Sequence, residues 1–147
     1  GEGAEKVKLE NYLSENQNKN IFLHKSVSRE EIPEVLSGYY CTIIPLVNNI
    51  YGAVPSKIYE AMAAGLPVLF SGSGEGAKII HDNKAGLVSG PKDYGSLKEN
   101  IIKLRNSVNL RNEMSVRGRK LAEERFDRNI LIEKFSDKLI SLSEEDE

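Results

Sequence analysis

The chain has little of the residues that most site chemistry uses. It carries a single cysteine, Cys41, in 147 residues. That excludes an intramolecular disulfide and suits a reducing compartment. Cys41 stands just before an apolar run and reads as a small core residue rather than a nucleophile. There are only two histidines, and His81 has no second histidine near it in sequence, so no zinc-type ligand set is visible. The formal net charge is only −2, so nothing argues for nucleic acid as a partner. No apolar run is long enough to span a bilayer, and no signal peptide is evident. Internal repeats, low-complexity tracts and interdomain linkers are absent. So are a Ser/His/Asp set, a Cys-x-x-Cys pair, a Walker loop and an Asp-x-Asp pair for a metal-bound diphosphate. No metal or cofactor is expected.

What is present alternates short apolar runs with helical stretches, the pattern of an α/β fold with a mostly parallel sheet and helices on both faces. Helices are expected over about 4–15, with Val7, Leu9 and Leu13 apolar, and from Ser28 to about Leu36. Ser28 and Glu31 have the spacing of a capping box, and Pro33 falls in the first turn. Strands are expected at Ile21–Leu23, Thr42–Leu46, Val68–Phe70 and Gly86–Ser89. Thr42–Leu46 is apolar on both faces, as a central parallel strand should be. A short helix follows Ser71–Gly76 and ends near His81. Asp93 or Ser96 caps a helix to about Asn106, with Leu97, Ile101, Ile102 and Leu104 inward. Terminal helices occupy about 110–142: one to Arg125 with Met114, Val116, Leu121 and Ala122, and one from Asp127 with Ile130, Leu131, Phe135, Leu139 and Leu142. The tail Glu144–Glu147 reads as solvated.

The informative stretch is Tyr51–Phe70. A helix should begin near Pro55 or Ser56 and stop at Gly65, with Pro67 preventing its continuation. If Pro55 is the first helical residue, Val54 is the N-cap and offers no acceptor, so the amides of Ser56 and Lys57 are free for an anion. If Ser56 is the N-cap, it satisfies part of its own helix. Ile58 and Met62 form an apolar stripe, and Glu60 faces away from it on the side of Lys57. A solvated Lys57–Glu60 pair explains that spacing as well. Ligands of open α/β sheets bind beyond the carboxyl ends of strands, which independently marks residues 47–57 as a binding edge. Ser71-Gly72-Ser73-Gly74-Glu75-Gly76 is a second glycine-rich turn after a strand. It reads either as a ligand-approach loop or as a plain tight turn, with Glu75 a helix N-terminal charge.

Pro-Ser-Lys-Ile-Tyr-Glu-Ala-Met-Ala-Ala-Gly-Leu-Pro-Val, residues 55–68, resembles the donor-site segment of the family 4 retaining glycosyltransferases, which have the two-domain GT-B fold. The Val-Pro-Ser-Lys form, with Gly-Glu-Gly-Ala-Lys-Ile-Ile and Ala-Gly-Leu-Val further on, resembles the surface-polysaccharide amino-sugar transferase branch. The resemblance implies a Rossmann-like sheet, the C-terminal half of a GT-B fold, truncated at its N-terminus because the opening Gly1-Glu2-Gly3 turn follows no strand. Residues 1–147 are then one partial donor-binding domain.

By the same resemblance, Glu60 holds the ribose, and Ser56 and Lys57 the diphosphate. Gly52, Ala53, Val54 and Pro55 lie along the donor sugar, and the backbone at Val27 meets the base. Gly52 stands where the family carries a glutamate that contacts the sugar or its phosphate. The implied reaction moves a sugar from a nucleotide-diphosphate donor, UDP-linked, to a saccharide or lipid-linked acceptor in bacterial surface polysaccharide biosynthesis. The implied place is the cytoplasm, at the inner face of the membrane, with any peripheral association made through the missing N-terminal domain. That domain would also supply the acceptor site, so residues 1–147 alone are expected to bind without turnover. Two other classes fit the architecture: a sugar-nucleotide 2-epimerase, against which the scarce histidines argue, and a non-catalytic sugar-nucleotide-binding module.

Overall fold

A computed structural model describes residues 3–16, 20–48 and 52–145. Parts of the Gly1–Gly3 turn, the 16–20 loop and the loop ending at Tyr51, together with the side chains of the acidic tail, lie outside the described residues. The chain divides into two compact units, Gly1–Val35 and Leu36–Glu147.

The first unit contains α1 (Lys6–Glu15), none of whose residues is buried. Val7 and Leu9, two of its candidate apolar positions, are exposed. Ile21–Leu23 was read as a strand and forms none; its three side chains are exposed. An apolar triplet has strand preference, but a strand exists only where a ladder partner satisfies its amides and carbonyls. The helix expected from Ser28 begins later, as α2 (Ile32–Ser37). Half of the capping box is present: Ser28 N–H donates to Glu31 Oε2 at 2.8 Å, and this bond leads in holding the Glu31 carboxyl below its ordinary pKa.

The second unit is built on three parallel strands in the order β1 (Thr42–Pro45), β2 (Val68–Ser71), β3 (Gly86–Ser89). Thr42 pairs with Val68, and Val68 with Gly86. All four residues of β2 are buried, as a central strand covered on both faces requires. β1 behaves otherwise. Among the described residues it is an edge strand, and only Ile44 is buried while Ile43 is exposed. Its apolar composition had read as central.

Helices α3 (Ser56–Ala63) and α4 (Glu75–Asp82) connect the strands, and α5 (Tyr94–Asn106), α6 (Val108–Arg125) and α7 (Arg128–Glu145) follow. One apolar cluster joins Ile58 and Met62 of α3 to Ile44, Val68, Phe70, Ile80, Leu121 and Ala122. A second, on the other face of β2, joins Leu69, Leu104 and Met114, with Cys41 packed against it. Burial raises the Cys41 thiol pKa, opposed by the nearby Arg111 charge. Asp93 caps α5 by accepting the Ser96 N–H at 3.0 Å, and Ser107 caps α6 by accepting that of Leu110 at 3.2 Å.

The expected apolar faces of α5 and α6 need correction. On α5, Leu104 is buried and Leu97 half-buried, but Ile101 and Ile102 are exposed; Asn100 instead turns to the sheet and donates to the Val88 carbonyl at 3.1 Å. On α6 the buried stripe is Met114, Gly118, Leu121 and Ala122, leaving Val116 67% exposed. Gly118 marks the close packing of this stripe: an added Cβ would make ordinary contact with Met62 and Ala85, at 3.5 and 3.6 Å. On α7, Leu131, Phe135, Leu139 and Leu142 are exposed.

Candidate functional site

The parallel topology fixes where a site can form. β1 leads into α3 and β2 into α4, so both helices start at the carboxyl edge of the sheet, where open α/β sheets bind ligands. Two buried serines brace that edge. Ser71 Oγ donates to the Gly90 carbonyl at 3.2 Å, and Ser89 Oγ to the Phe70 carbonyl at 3.4 Å. The main-chain ladder also extends past the strands: Leu46 N–H donates to Ser71 O at 2.7 Å and Gly72 N–H to Ser89 O at 2.9 Å.

α3 begins at Ser56, within the expected Pro55–Ser56 start, but its N-cap is neither Val54 nor Ser56. Ser56 is the first helical residue and Pro55 takes the cap position, with φ −58° and ψ 126°. Proline suits that place because its ring presets φ and it has no N–H to satisfy. It also has no side-chain acceptor, and no side chain caps the helix. Ile58 N–H donates to Pro55 O at 3.0 Å; among the described residues the amides of Ser56 and Lys57 have no acceptor. No acidic residue lies in the first turn. The positive end of the helix dipole therefore has no first-turn acid to compensate it.

The far end of α3 is fully served. Gly65 has φ +69°. Its N–H donates to Met62 O at 2.9 Å, and Leu66 N–H donates to Ala61 O at 2.9 Å, the paired bonds of a Schellman motif. The Arg119 guanidinium, from α6, donates to the Ala63 carbonyl.

Glu60 is exposed, as the phase of the Ile58–Met62 stripe requires. The Lys57–Glu60 ion pair does not form among the described residues. Glu60 Oε1 instead accepts the Ser56 hydroxyl at 3.1 Å. The i, i+4 spacing was visible in the sequence, but the acid and base drew attention to Lys57. Glu60 also borders a hollow of about 360 Å³ shared with Tyr59, Arg119, Glu123, Phe126 and Arg128. Tyr59 and Phe126 form one wall, their ring centroids 4.7 Å apart.

The residues leading into α3 are described from Gly52. Gly52 has φ +72°, and among the described residues an added Cβ would meet nothing within 4 Å. There is room for a side chain but a backbone conformation that disfavours one. Ala53 is exposed, and Val54 and Pro55 are half-buried. Gly52–Pro55, Ser56, Lys57 and Glu60 thus form one continuous surface segment. Val27 belongs to the first unit, where it is exposed in irregular backbone.

The glycine-rich turn divides its labour. Gly74 has φ +78° and caps α4 without a side chain. Gly72 and Gly76 lie against Phe70, at 2.7 and 3.3 Å for an added Cβ, so both permit packing on the core. Glu75 sits in the first turn of α4, which makes that terminus less receptive to an anion than α3. At the opposite end of α4, His81 Nδ1 lies 3.1 Å from Asp82 Oδ1. Among the described residues no cluster of His, Cys, Asp or Glu is placed to hold a metal ion, and no helix is long and apolar enough to cross a membrane.

The family model for glycosyl transferases group 1 matches residues 1–121. An uncharacterized glycosyltransferase of Methanocaldococcus jannaschii is 26% identical over 124 residues, covering 84% of this chain and 34% of the relative. The chain thus spans about a third of the length of that relative.

Proposed function

Because the chain belongs to the group 1 glycosyl transferases, with the sugar donor and acceptor that such a family implies, we propose that the α3 edge binds the donor as a nucleotide-diphosphate sugar, UDP-linked in the first instance. The observation that carries this reading is the start of α3: two amides without acceptors among the described residues, no acid in the first turn, and Glu60 exposed one turn further on. The Ser56 and Lys57 amides take the diphosphate, and Lys57 adds a point charge. As the glycosidic bond to the donor breaks, negative charge grows on the leaving diphosphate, and fixed amides stabilise it without reorganising. Glu60 accepts hydrogen bonds from the ribose hydroxyls. Gly52–Pro55 line the sugar.

On this reading residues 1–147 are the donor half of a GT-B enzyme that transfers with retention. The acceptor is a saccharide or lipid-linked saccharide of surface polysaccharide synthesis at the cytoplasmic face of a membrane. Its binding, and any general base, come from another domain of the full-length protein. The glycine at position 52 favours one second reading, a module that binds the sugar nucleotide and does not consume it.

Calorimetric titration of UDP, GDP, ADP and CMP into the full-length protein and its Glu60→Ala variant tests the site. One diphosphate should be preferred, and the substitution should weaken it by about 1.5–3 kcal/mol, the contribution of a hydrogen-bonded charge. Equal binding by wild type and variant would remove Glu60 from the site. Donor consumption in the presence of saccharide acceptors separates the enzyme from the binding module.

A further inference from the structure

We infer that the Ser56 hydroxyl is a positioning residue for the Glu60 carboxylate, holding it ready for the ribose diol; this rests on the donor reading of α3. The hydroxyl donates to Glu60 Oε1 at 3.1 Å. Among the described residues Glu60 has no other side-chain partner. Lys57 forms no ion pair with it. The nearby Arg119 is engaged with Glu123 Oε1 at 2.6 Å and with the Ala63 carbonyl.

The geometry divides Ser56 into two independent parts. Its amide has no acceptor among the described residues, and its side chain is spent on Glu60 rather than on capping its own helix. A carboxylate has about four lone-pair sites. The Ser56 bond occupies one on Oε1 and leaves Oε2 open, enough for two hydroxyl donors. An exposed glutamate left alone samples several rotamers and must be ordered when it binds, which lowers affinity by about two- to tenfold for a rotamer-rich side chain. The bond to Ser56 imposes that order beforehand. Serine is suited to this because its short hydroxyl reaches one turn along the helix. Alanine at the same place would keep the amide and the helix but lose the hold on Glu60.

The test separates ribose recognition from phosphate recognition. Dissociation constants of UDP and 2′,3′-dideoxy-UDP are measured on the full-length protein, its Ser56→Ala variant and its Ser56→Thr variant. Wild type should prefer UDP over the dideoxy compound by about tenfold or more, as expected for hydroxyls bonded to a charged acceptor. In Ser56→Ala that preference, read as the ratio of the two dissociation constants, should fall by about two- to tenfold. Ser56→Thr, which keeps a hydroxyl, should restore it. A Ser56→Ala variant with the full preference overturns the inference. So does one that loses affinity for both nucleotides equally, which would mark Ser56 as part of the phosphate site alone, or one that binds UDP more tightly, which would mean the serine competes with the ribose. A wild type without preference, or without affinity for UDP, instead overturns the donor reading on which the inference stands.

Discussion

Gly86→Ala should be among the most damaging small substitutions in the chain. Gly86 is the first residue of β3 and pairs with Val68 of the central strand. An added Cβ would lie 1.9 Å from the Val68 carbonyl oxygen, 2.7 Å from its carbon and 2.9 Å from its nitrogen. A carbon and a carbonyl oxygen in ordinary contact sit about 3.3–3.6 Å apart. The two strands would have to separate locally by roughly 1 Å or more, in a ladder whose natural spacing is about 4.8 Å. The opposing atoms are backbone, so no side chain can swing away.

Overpacking of this kind costs about 1–3 kcal/mol. The adjoining bond from Val68 N–H to Ala85 O, at 3.2 Å, adds about 1 kcal/mol if it breaks. The expected loss is therefore about 3 kcal/mol, a large share of the roughly 5–15 kcal/mol that keeps a domain folded. Urea unfolding followed by far-ultraviolet circular dichroism measures it. Gly90→Ala is the control, because its Cβ would meet only Asp93 Cβ, at 3.7 Å, and it should change stability by less than about 0.5 kcal/mol. A Gly86→Ala protein within about 1 kcal/mol of wild type would refute the close approach of β3 to β2.

Two further predictions concern titrating groups. Burial, with the Glu75 charge adding to it, holds the Tyr59 phenol above its ordinary pKa of 10.0. The unfolded chain then releases this proton first, so the contribution of Tyr59 to stability is complete below its unfolded pKa and is lost as pH rises through the raised folded value. Tyr59→Phe should flatten the alkaline fall in the urea midpoint, and an unchanged slope would contradict the assignment. The Cys41 thiol, raised chiefly by burial, should be alkylated by iodoacetamide with a pH–rate profile displaced to higher pH than that of the urea-unfolded chain; coincident profiles would show the thiol to be solvated.

The elements best read from sequence are those bounded by residues with fixed backbone demands. Pro55, Gly65 and Pro67 bracketed α3 to within a residue, because proline φ and a left-handed glycine act locally. Glu60 was placed on the exposed face by helical phase alone. What was not legible depends on partners. Ile21–Leu23 has the composition of a strand but lacks the ladder that makes one, and β1 read as central although its Ile43 flank is uncovered. The α6 stripe was misread at Val116 because its true members include Gly118, a residue that contributes no apolar side chain yet marks where two helices touch. The helix start marks the Ser56 amide from sequence, but the bond of its hydroxyl to Glu60 depends on which rotamers the two exposed side chains adopt.

The unequal ends of α3 have a mechanical consequence. An anion attracted to the open amides pulls on the helix along its axis. A short helix free at both ends would answer such a load by sliding or fraying. Here the opposite terminus is pinned by the turn at Gly65 and tied through Ala63 to Arg119, while Ile58 and Met62 are fully buried beneath it. On the proposed donor reading, such a load would pass into α6 and the sheet, and α3 would serve as a strut with a fixed tip.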